Sequence, residues 1–202
     1  SRVVPLIRKL ASQAGIPISI DTRKASVAES AVDAGAVVIN DISSLSHDTR
    51  MLDVARRTGA GLILMHMRGT PQTMQDETSY EDIVREIYSH LETRISFCQD
   101  KGIDPLSILV DPGIGFGKDI EGNLRIVHHI SEFRSLGVPV VLGHSRKSFI
   151  GSVLNAPSSE RQKGTDAVSA WAIIQGVDVL RVHDVISTRE VKDMLLAIEA
   201  SV

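Results

Sequence analysis

Apolar residues along the chain alternate between two rhythms. Val3, Val4, Leu6, Ile7, Leu10 and Ala11 keep helical spacing and stop at Gly15 and Pro17, whereas Ile18-Ser19-Ile20 is a short strand-like run that ends at Asp21-Thr22. The same succession then repeats. A helical run through Val27, Ala28, Ala31 and Val32 closes at Gly35 and gives way to Val37-Val38-Ile39, which ends at Asn40-Asp41. A helix from Met51 to Arg57 closes at Gly59, and Leu62-Ile63-Leu64-Met65 leads to His66. A polar loop, Arg68 to Ser79, precedes a long helix from about Glu81 to Asp100. Ser79, with Asp82 three residues on, is its expected cap.

The second half opens on Ile108-Leu109-Val110, a run too short for a helix, which stops at the carboxylate of Asp111. The loop beyond it, Pro112-Gly113-Ile114-Gly115-Phe116-Gly117-Lys118, is neither a P-loop nor a dinucleotide fingerprint. Pro112 stands where the P-loop needs Gly, Asp119 where it needs Ser or Thr, and the glycines fall on alternate positions. Leu124, Ile126, Val127, Ile130 and Phe133 mark one further helix closed by Gly137, and Val138 to Leu142 a strand ending at Gly143-His144-Ser145-Arg146-Lys147. Asn155 to Gly164 reads as a loop, and a helix follows through Ala167, Ala170, Trp171 and Ile174. Val179 to Val182 is a strand leading to His183-Asp184, and a final helix starts near Ser187, where Ser187 and Glu190 have capping-box spacing.

Such alternation, with no linker or low-complexity tract, predicts an α/β fold with a parallel sheet in one domain over residues 1–202. Each strand ends in polar residues: Asp21, Asn40, His66, Asp111, Ser145 and His183. Chemistry at the carboxyl ends of many successive strands is the pattern of a (β/α)8 TIM barrel, whereas a doubly wound open sheet would gather it at one switch point. Six strands are legible, and 202 residues is short beside the usual length of about 250. The expectation is therefore six of eight βα units, in a chain truncated at the N-terminus. A remnant of that kind would leave two strand edges uncovered.

Charge and composition narrow the function. A formal net charge of −3 argues against nucleic acid or a membrane surface as partner, and no apolar run reaches the length of a membrane helix. A single cysteine, Cys98, within an amphipathic helical run reads as a packed residue, and a cytoplasmic location is expected. Singly, the strand tips have plain readings. Asp21 or Asp41 could cap a helix, Asn40 could sit in a turn, Arg181 on the surface and Met65 in the core. His66, His144 and His183 lack zinc spacing. Together, in a barrel, they would line one cavity. Asp21, Asn40 and Asp111 suit a flat heterocycle rich in N–H donors, Met65 and Phe116 its faces, and Lys147, Arg181 and His183 a phosphate tail.

These residues resemble one family. The motifs Ile20-Asp21-Thr22, Ile39-Asn40-Asp41, Met65 to Pro71, Asp111 to Lys118, Ser145-Arg146-Lys147-Ser148 and Arg181 to Val185 occur in the order seen in dihydropteroate synthases, and the likeness runs over essentially the whole chain. That resemblance implies condensation of 6-hydroxymethyl-7,8-dihydropterin diphosphate with p-aminobenzoate, with Mg²⁺ as cofactor and a homodimer as assembly. It implies pterin contacts from Asp21, Asn40, Met65, Asp111, Phe116, Lys147 and Arg181, with Asp21, Lys147 and Arg181 carrying the chemistry. Arg181 and His183 would hold the diphosphate, and Lys147 with Ser145, at a helix N-terminus, the p-aminobenzoate. No metal ligand is expected in this chain, because the family's Asn ligand belongs to a loop of the first βα unit. A methyltetrahydrofolate–corrinoid methyltransferase has a similar fold and pterin pocket but no need of a diphosphate clamp. A non-catalytic pterin-binding fragment is the other alternative.

Overall fold

The computed structural model describes residues 2–201. They fall into two units, one of residues through His66 with Ser89–Val110, the other of Met67–Tyr88 with residues from Asp111 onward. In the first unit α1 (Val4–Gln13), β1 (Ser19–Asp21), α2 (Ala25–Asp33), β2 (Val38–Asp41), α3 (Met51–Thr58) and β3 (Gly61–Met65) alternate. The later turns of α4 (Ile83–Asp100) and then β4 (Ile108–Asp111) follow. The strands form one sheet in the order β1-β2-β3-β4. Strands β1, β2 and β3 pair in parallel, with Ile20 opposite Ile39 and Ile39 opposite Leu62. In that register Asp21 and Asn40 are also partners, so the polar ends of the two strands are level.

Parallel strands covered on both faces read as continuous apolar runs, and Ile39, Leu62, Leu64, Ile108 and Val110 are indeed fully buried. Helix α2 turns Ala28 and Ala31, both with no exposed surface, toward the interior. Cys98 on α4 is a free, fully buried thiol, which burial pushes up to about 11, as expected of a packed residue. Helix α1 approaches the end of α2 closely at Gly35. There φ is +112°, and an added Cβ would lie 2.5 Å from the Cβ of Ala11.

The second unit holds the start of α4, then α5 (Ile120–His128), β5 (Val141–Leu142), α6 (Ser148–Leu154), α7 (Gln162–Ile174), β6 (Val179–Leu180) and α8 (Val185–Glu199), with β5 and β6 paired in parallel. The six expected strands are thus present among the described residues, two fewer than an eight-stranded barrel uses. The last two are shorter than their apolar runs. Asp178 accepts the Val140 N–H at 2.7 Å in place of a ladder bond, and Arg181 lies beyond the strand end.

Four local expectations are corrected. Ser79 does not cap α4, which starts only at Ile83; its carbonyl accepts from Arg68, which stacks on the Tyr80 ring at 3.7 Å and pairs with Glu86 at 2.8 Å. Asp82 caps instead, accepting the Arg85 N–H at 3.2 Å, while Glu86 reaches back to the Asp82 N–H at 3.3 Å. The helix expected through Phe133 breaks at His129 into a 3-10 turn, Ile130–Leu136, whose period of three keeps Ile130 and Phe133 together in the core. The stretch read as a loop from Asn155 to Gly164 already contains the start of α7. Gly164 is a packing residue there, since a Cβ on it would lie 2.4 Å from Ile150 Cγ2. Finally, Asp184 rather than Ser187 caps α8, accepting the Ser187 N–H at 3.0 Å, and the Ser187 hydroxyl donates to Asp166 at 2.8 Å.

Gly35→Ala should lower stability by about 1–3 kcal/mol, because the left-handed backbone and the Ala11 contact both oppose a methyl group. Urea unfolding midpoints of the two proteins measure this loss.

Candidate active site

In the first unit the strand register brings two of the expected residues together. Asn40 Nδ2 donates to Asp21 Oδ2 at 3.1 Å. Asn40 is buried, yet its Oδ1 has no hydrogen-bond partner, an acceptor left waiting for a donor. Asp21 does not cap α2, whose N-cap is Lys24 with no side-chain bond. Asp41 is fully buried but wholly used in the chain's own turn. Its two oxygens accept the backbone N–H groups of Ser43 and Leu45, both at 2.9 Å, and the Ser43 hydroxyl at 2.6 Å. Met65 is buried at the end of β3, where its carbonyl accepts the Ser44 hydroxyl at 2.8 Å. His66, also buried, stands edge-on to His90 with ring centroids 4.9 Å apart.

The second unit gathers the larger set. Asp111, 7% exposed, ends β4 and accepts the Gly113 N–H at 2.7 Å. A Cβ added to Gly143 would be 3.7 Å from Asp111 Oδ2 and 3.8 Å from an Arg181 guanidinium nitrogen, so both groups flank that bare backbone. Lys147 lays its ammonium over the Phe116 ring, 4.1 Å from the centroid. Its stem lies across Gly115, where φ is +80° and a Cβ would meet Lys147 Cδ at 3.0 Å. Ser145 Oγ accepts the backbone N–H of His183 at 3.3 Å and is 2.9 Å from His183 Nδ1. Gly143, Ser145, Lys147, Arg181, Val182 and His183 line a cleft of about 200 Å³.

Charge in this cluster is poised by burial. Burial pushes the Asp111 carboxyl above its ordinary range, against the pull of the Gly113 N–H and of Lys118, Lys147 and Arg181. Burial likewise pushes the Lys147 ammonium down, with Asp111 resisting and Arg181 reinforcing the shift. One carboxylate thus faces three cationic side chains, and the cleft beside it suits an anion.

Two residues of the site were given no role in the sequence. Lys118 is 3% exposed, donates to the Phe116 carbonyl at 2.7 Å, and is pushed down by burial to about 7. Asn123, on α5, accepts the Gly115 N–H at 2.7 Å and donates to the carbonyls of Lys118 at 3.2 Å and Asp119 at 2.6 Å. Lys118 closes a glycine motif and could have been singled out on that ground. Nothing local marks Asn123, which staples a loop from the helix after it. One expectation shifts. Ser145 stands two residues ahead of the Lys147 N-cap of α6, so it is not at a helix N-terminus. His144 is a core residue, its Nε2 2.9 Å from Ser169 Oγ. Among the described residues no group of three or more His, Cys, Asp or Glu side chains forms a metal-ligand set.

A family profile described as pterin binding enzyme matches residues 1–183. The dihydropteroate synthase of Synechocystis is 44% identical over 185 residues, 91% of this chain, and that of Bacillus subtilis 43% identical over 92% of this chain. The chain spans 64% and 62% of their lengths. The crystal structure of Yersinia pestis dihydropteroate synthase with a sulfonamide drug superimposes with a TM-score of 0.96 at 38% identity, covering 100% of this chain and 73% of that one. The fold is that of these TIM-barrel enzymes.

Asn123→Ala should cost about 1–3 kcal/mol, since it strips partners from one buried N–H and two carbonyls. Amide exchange at Gly115, measured by NMR, should quicken at least tenfold relative to exchange at core residues of α5.

Proposed function

This chain belongs to the pterin-binding enzyme family, within the dihydropteroate synthases, and from that premise we propose that it carries the substrate-binding part of such a synthase, acting in folate biosynthesis. The reaction is the condensation of 6-hydroxymethyl-7,8-dihydropterin diphosphate with p-aminobenzoate to give 7,8-dihydropteroate and diphosphate. The observation that carries this reading is the juxtaposition in the second unit of a buried acceptor, Asp111, with the cations Lys147 and Arg181 and the Ser145–His183 pair.

An ionised carboxylate accepts two donors from an amidine-like edge, and its burial makes the match selective. Asp111 takes that role toward the pterin, with Phe116 against the ring and Lys147 toward its carbonyl. The resemblance to the synthases gives Asn40, whose Oδ1 is an orphaned acceptor, Asp21 and Met65 to the pterin as well. Arg181 and His183 take the diphosphate, and Ser145 with Lys147 the p-aminobenzoate carboxylate. In the reaction the arylamine lone pair forms a C–N bond to the pterin methylene as the C–O bond breaks. The electron pair leaves on diphosphate, and the new ammonium loses a proton. Arg181 and His183 stabilise the negative charge that develops on the leaving group, while Asp21 and Asp111 favour the positive charge on the pterin. Orientation of the weakly basic amine does the rest.

Mg²⁺ is proposed to enter with the diphosphate ester, since it commonly binds through substrate phosphates, and the steps assigned to this chain's residues do not involve it. A homodimer and a cytoplasmic location complete the proposal. No helix among the described residues is long and apolar enough to cross a membrane. The cationic cleft beside Arg181 favours this reading over a methyl transfer from a folate, which releases no diphosphate.

The direct experiment supplies pterin diphosphate, Mg²⁺ and p-aminobenzoate to the purified chain and follows dihydropteroate by chromatography. Product supports the enzyme, and retained pterin binding without product reduces the reading to a binding fragment. Asp111→Asn should weaken pterin by roughly ten- to a hundredfold in calorimetry, about 1.5–3 kcal/mol, because the new NH₂ faces a donor edge. Pterin affinity should also fall as pH drops, starting above the ordinary aspartate range, because the raised carboxyl is protonated early. The sign for folding is opposite. A raised carboxyl stabilises the folded state at low pH and forfeits that stabilisation as pH rises through its folded value. Asp111→Asn should therefore leave the ligand-free fold at neutral pH no less stable. Arg181→Ala should weaken the diphosphate ester far more than plain pterin; equal losses would refute the clamp.

A further inference from the structure

Ser145 and His183 meet twice. The Ser145 hydroxyl oxygen accepts the His183 backbone N–H at 3.3 Å and stands 2.9 Å from Nδ1 of the same residue's ring. Both chain neighbours of Ser145 are tied to α7. His144, with no exposed surface, has its Nε2 3.2 Å from the Thr165 carbonyl and 2.9 Å from Ser169 Oγ. Arg146 lies in the left-handed region at φ +57°, and its N–H donates to Thr165 Oγ1 at 3.1 Å. Ser145, itself 7% exposed, is therefore held in place from both sides. His183 comes from the loop after β6 and lines the same cleft as Ser145. Among the described residues neither Ser145 Oγ nor His183 Nε2 has another hydrogen-bond partner.

Counting protons decides how the pair is bonded. A serine hydroxyl carries one proton and two lone pairs, and a neutral imidazole has one donor and one acceptor nitrogen. If Nδ1 held the ring proton, it and the backbone N–H would both donate to Oγ. The serine proton would then lack an acceptor in a largely buried place, where polar groups are nearly always paired. If the hydroxyl donates to Nδ1 instead, each of these groups has its partner. We propose that Ser145 is a positioning residue for His183: its hydroxyl donates to Nδ1, fixes the neutral ring with its proton on Nε2, and so leaves an N–H donor for an anion in the cleft. The opposite tautomer would meet that anion with a lone pair and repel it. The idea rests on the proposed function only in naming the anion as the diphosphate. One proton serves one acceptor, so while Ser145 holds His183 it does not also donate to the p-aminobenzoate carboxylate.

The test separates this inference from the identity of the ligand. In ligand-free protein with ¹⁵N-labelled histidine, long-range proton–nitrogen NMR reads which ring nitrogen of His183 carries the proton. The spectrum is taken about two pH units above the ordinary imidazole value of about 6.5, where a neutral ring is the rule. Wild-type protein should hold the proton on Nε2, and Ser145→Thr, which keeps the hydroxyl, should do the same. In Ser145→Ala the share protonated on Nδ1 should rise roughly fivefold or more, the worth of one lost hydrogen bond. A wild-type proton on Nδ1, or an unmoved tautomer in Ser145→Ala, would overturn the proposal. An unmoved tautomer with weakened p-aminobenzoate would return Ser145 to the carboxylate alone. Calorimetry with inorganic diphosphate at the same pH gives a second readout, one that stands even if Ser145→Ala fails to fold. His183→Gln, whose amide nitrogen reaches the place of Nε2, should bind within about threefold of wild type, whereas His183→Asn, whose amide stops at the place of Nδ1, should lose roughly tenfold. The reverse order would sink the idea. Wild-type protein that ignores diphosphate would remove the proposed clamp and leave the tautomer spectrum to decide on Ser145.

Discussion

A carboxylate at the end of a buried strand is an expensive thing to fold. Asp111 leaves water when β4 forms, and an ionised oxygen in such a place costs several kcal/mol unless hydrogen bonds and opposite charges replace its hydration. The second unit supplies them from three separate stretches of chain: Gly113 and Lys118 from the following loop, Lys147 from the loop after β5, and Arg181 from the loop after β6. Compensation is incomplete, because the carboxyl is still raised by burial. The cations crowd one another as well, Arg181 helping to push Lys147 down. A flat ligand with N–H donors would relieve the first imbalance and an anion the second. The cluster is thus more comfortable with ligands of those two kinds than without them.

The first unit handles its polar strand ends differently. Asp41 is fully buried and engages both oxygens in the turn of residues 43–45. Its neighbour Asn40 satisfies only its amide nitrogen, through Asp21, and keeps an oxygen unspent. Two adjacent residues of one motif thus differ, one closing a turn and the other keeping a free acceptor. The division follows the pleat, since successive side chains point to opposite faces of a strand.

What the sequence made legible was whatever repeats. Alternating rhythms gave all six strands and their polar tips, because short apolar runs and glycine stops are local signals. Ser145, Lys147, Arg181 and His183 were found for the same reason, as polar residues just past such runs. The departures have a common cause in contacts that close through space. Arg68 reaches eleven residues along the chain to take the carbonyl of Ser79, and Asp82 caps α4 in its place. Gly164 looks like a loop residue until Ile150 is seen against it. Asn123 staples the glycine loop from the helix beyond, and no spacing rule marks an asparagine for that duty. Lys118 was in plain view at the end of its motif. Its burial, which makes it chemically interesting, is a property of the fold alone.

The thiol of Cys98 sits in the interior of α4 with no exposed surface, and burial holds it near 11. At neutral pH only on the order of one molecule in ten thousand would carry the reactive thiolate, even if a reagent could reach it. Iodoacetamide and similar alkylating agents should therefore be blind to the native chain and mark only molecules in which that helix has come away. The lone sulfur is a ready-made clock for how often the interior opens, with no label to be engineered.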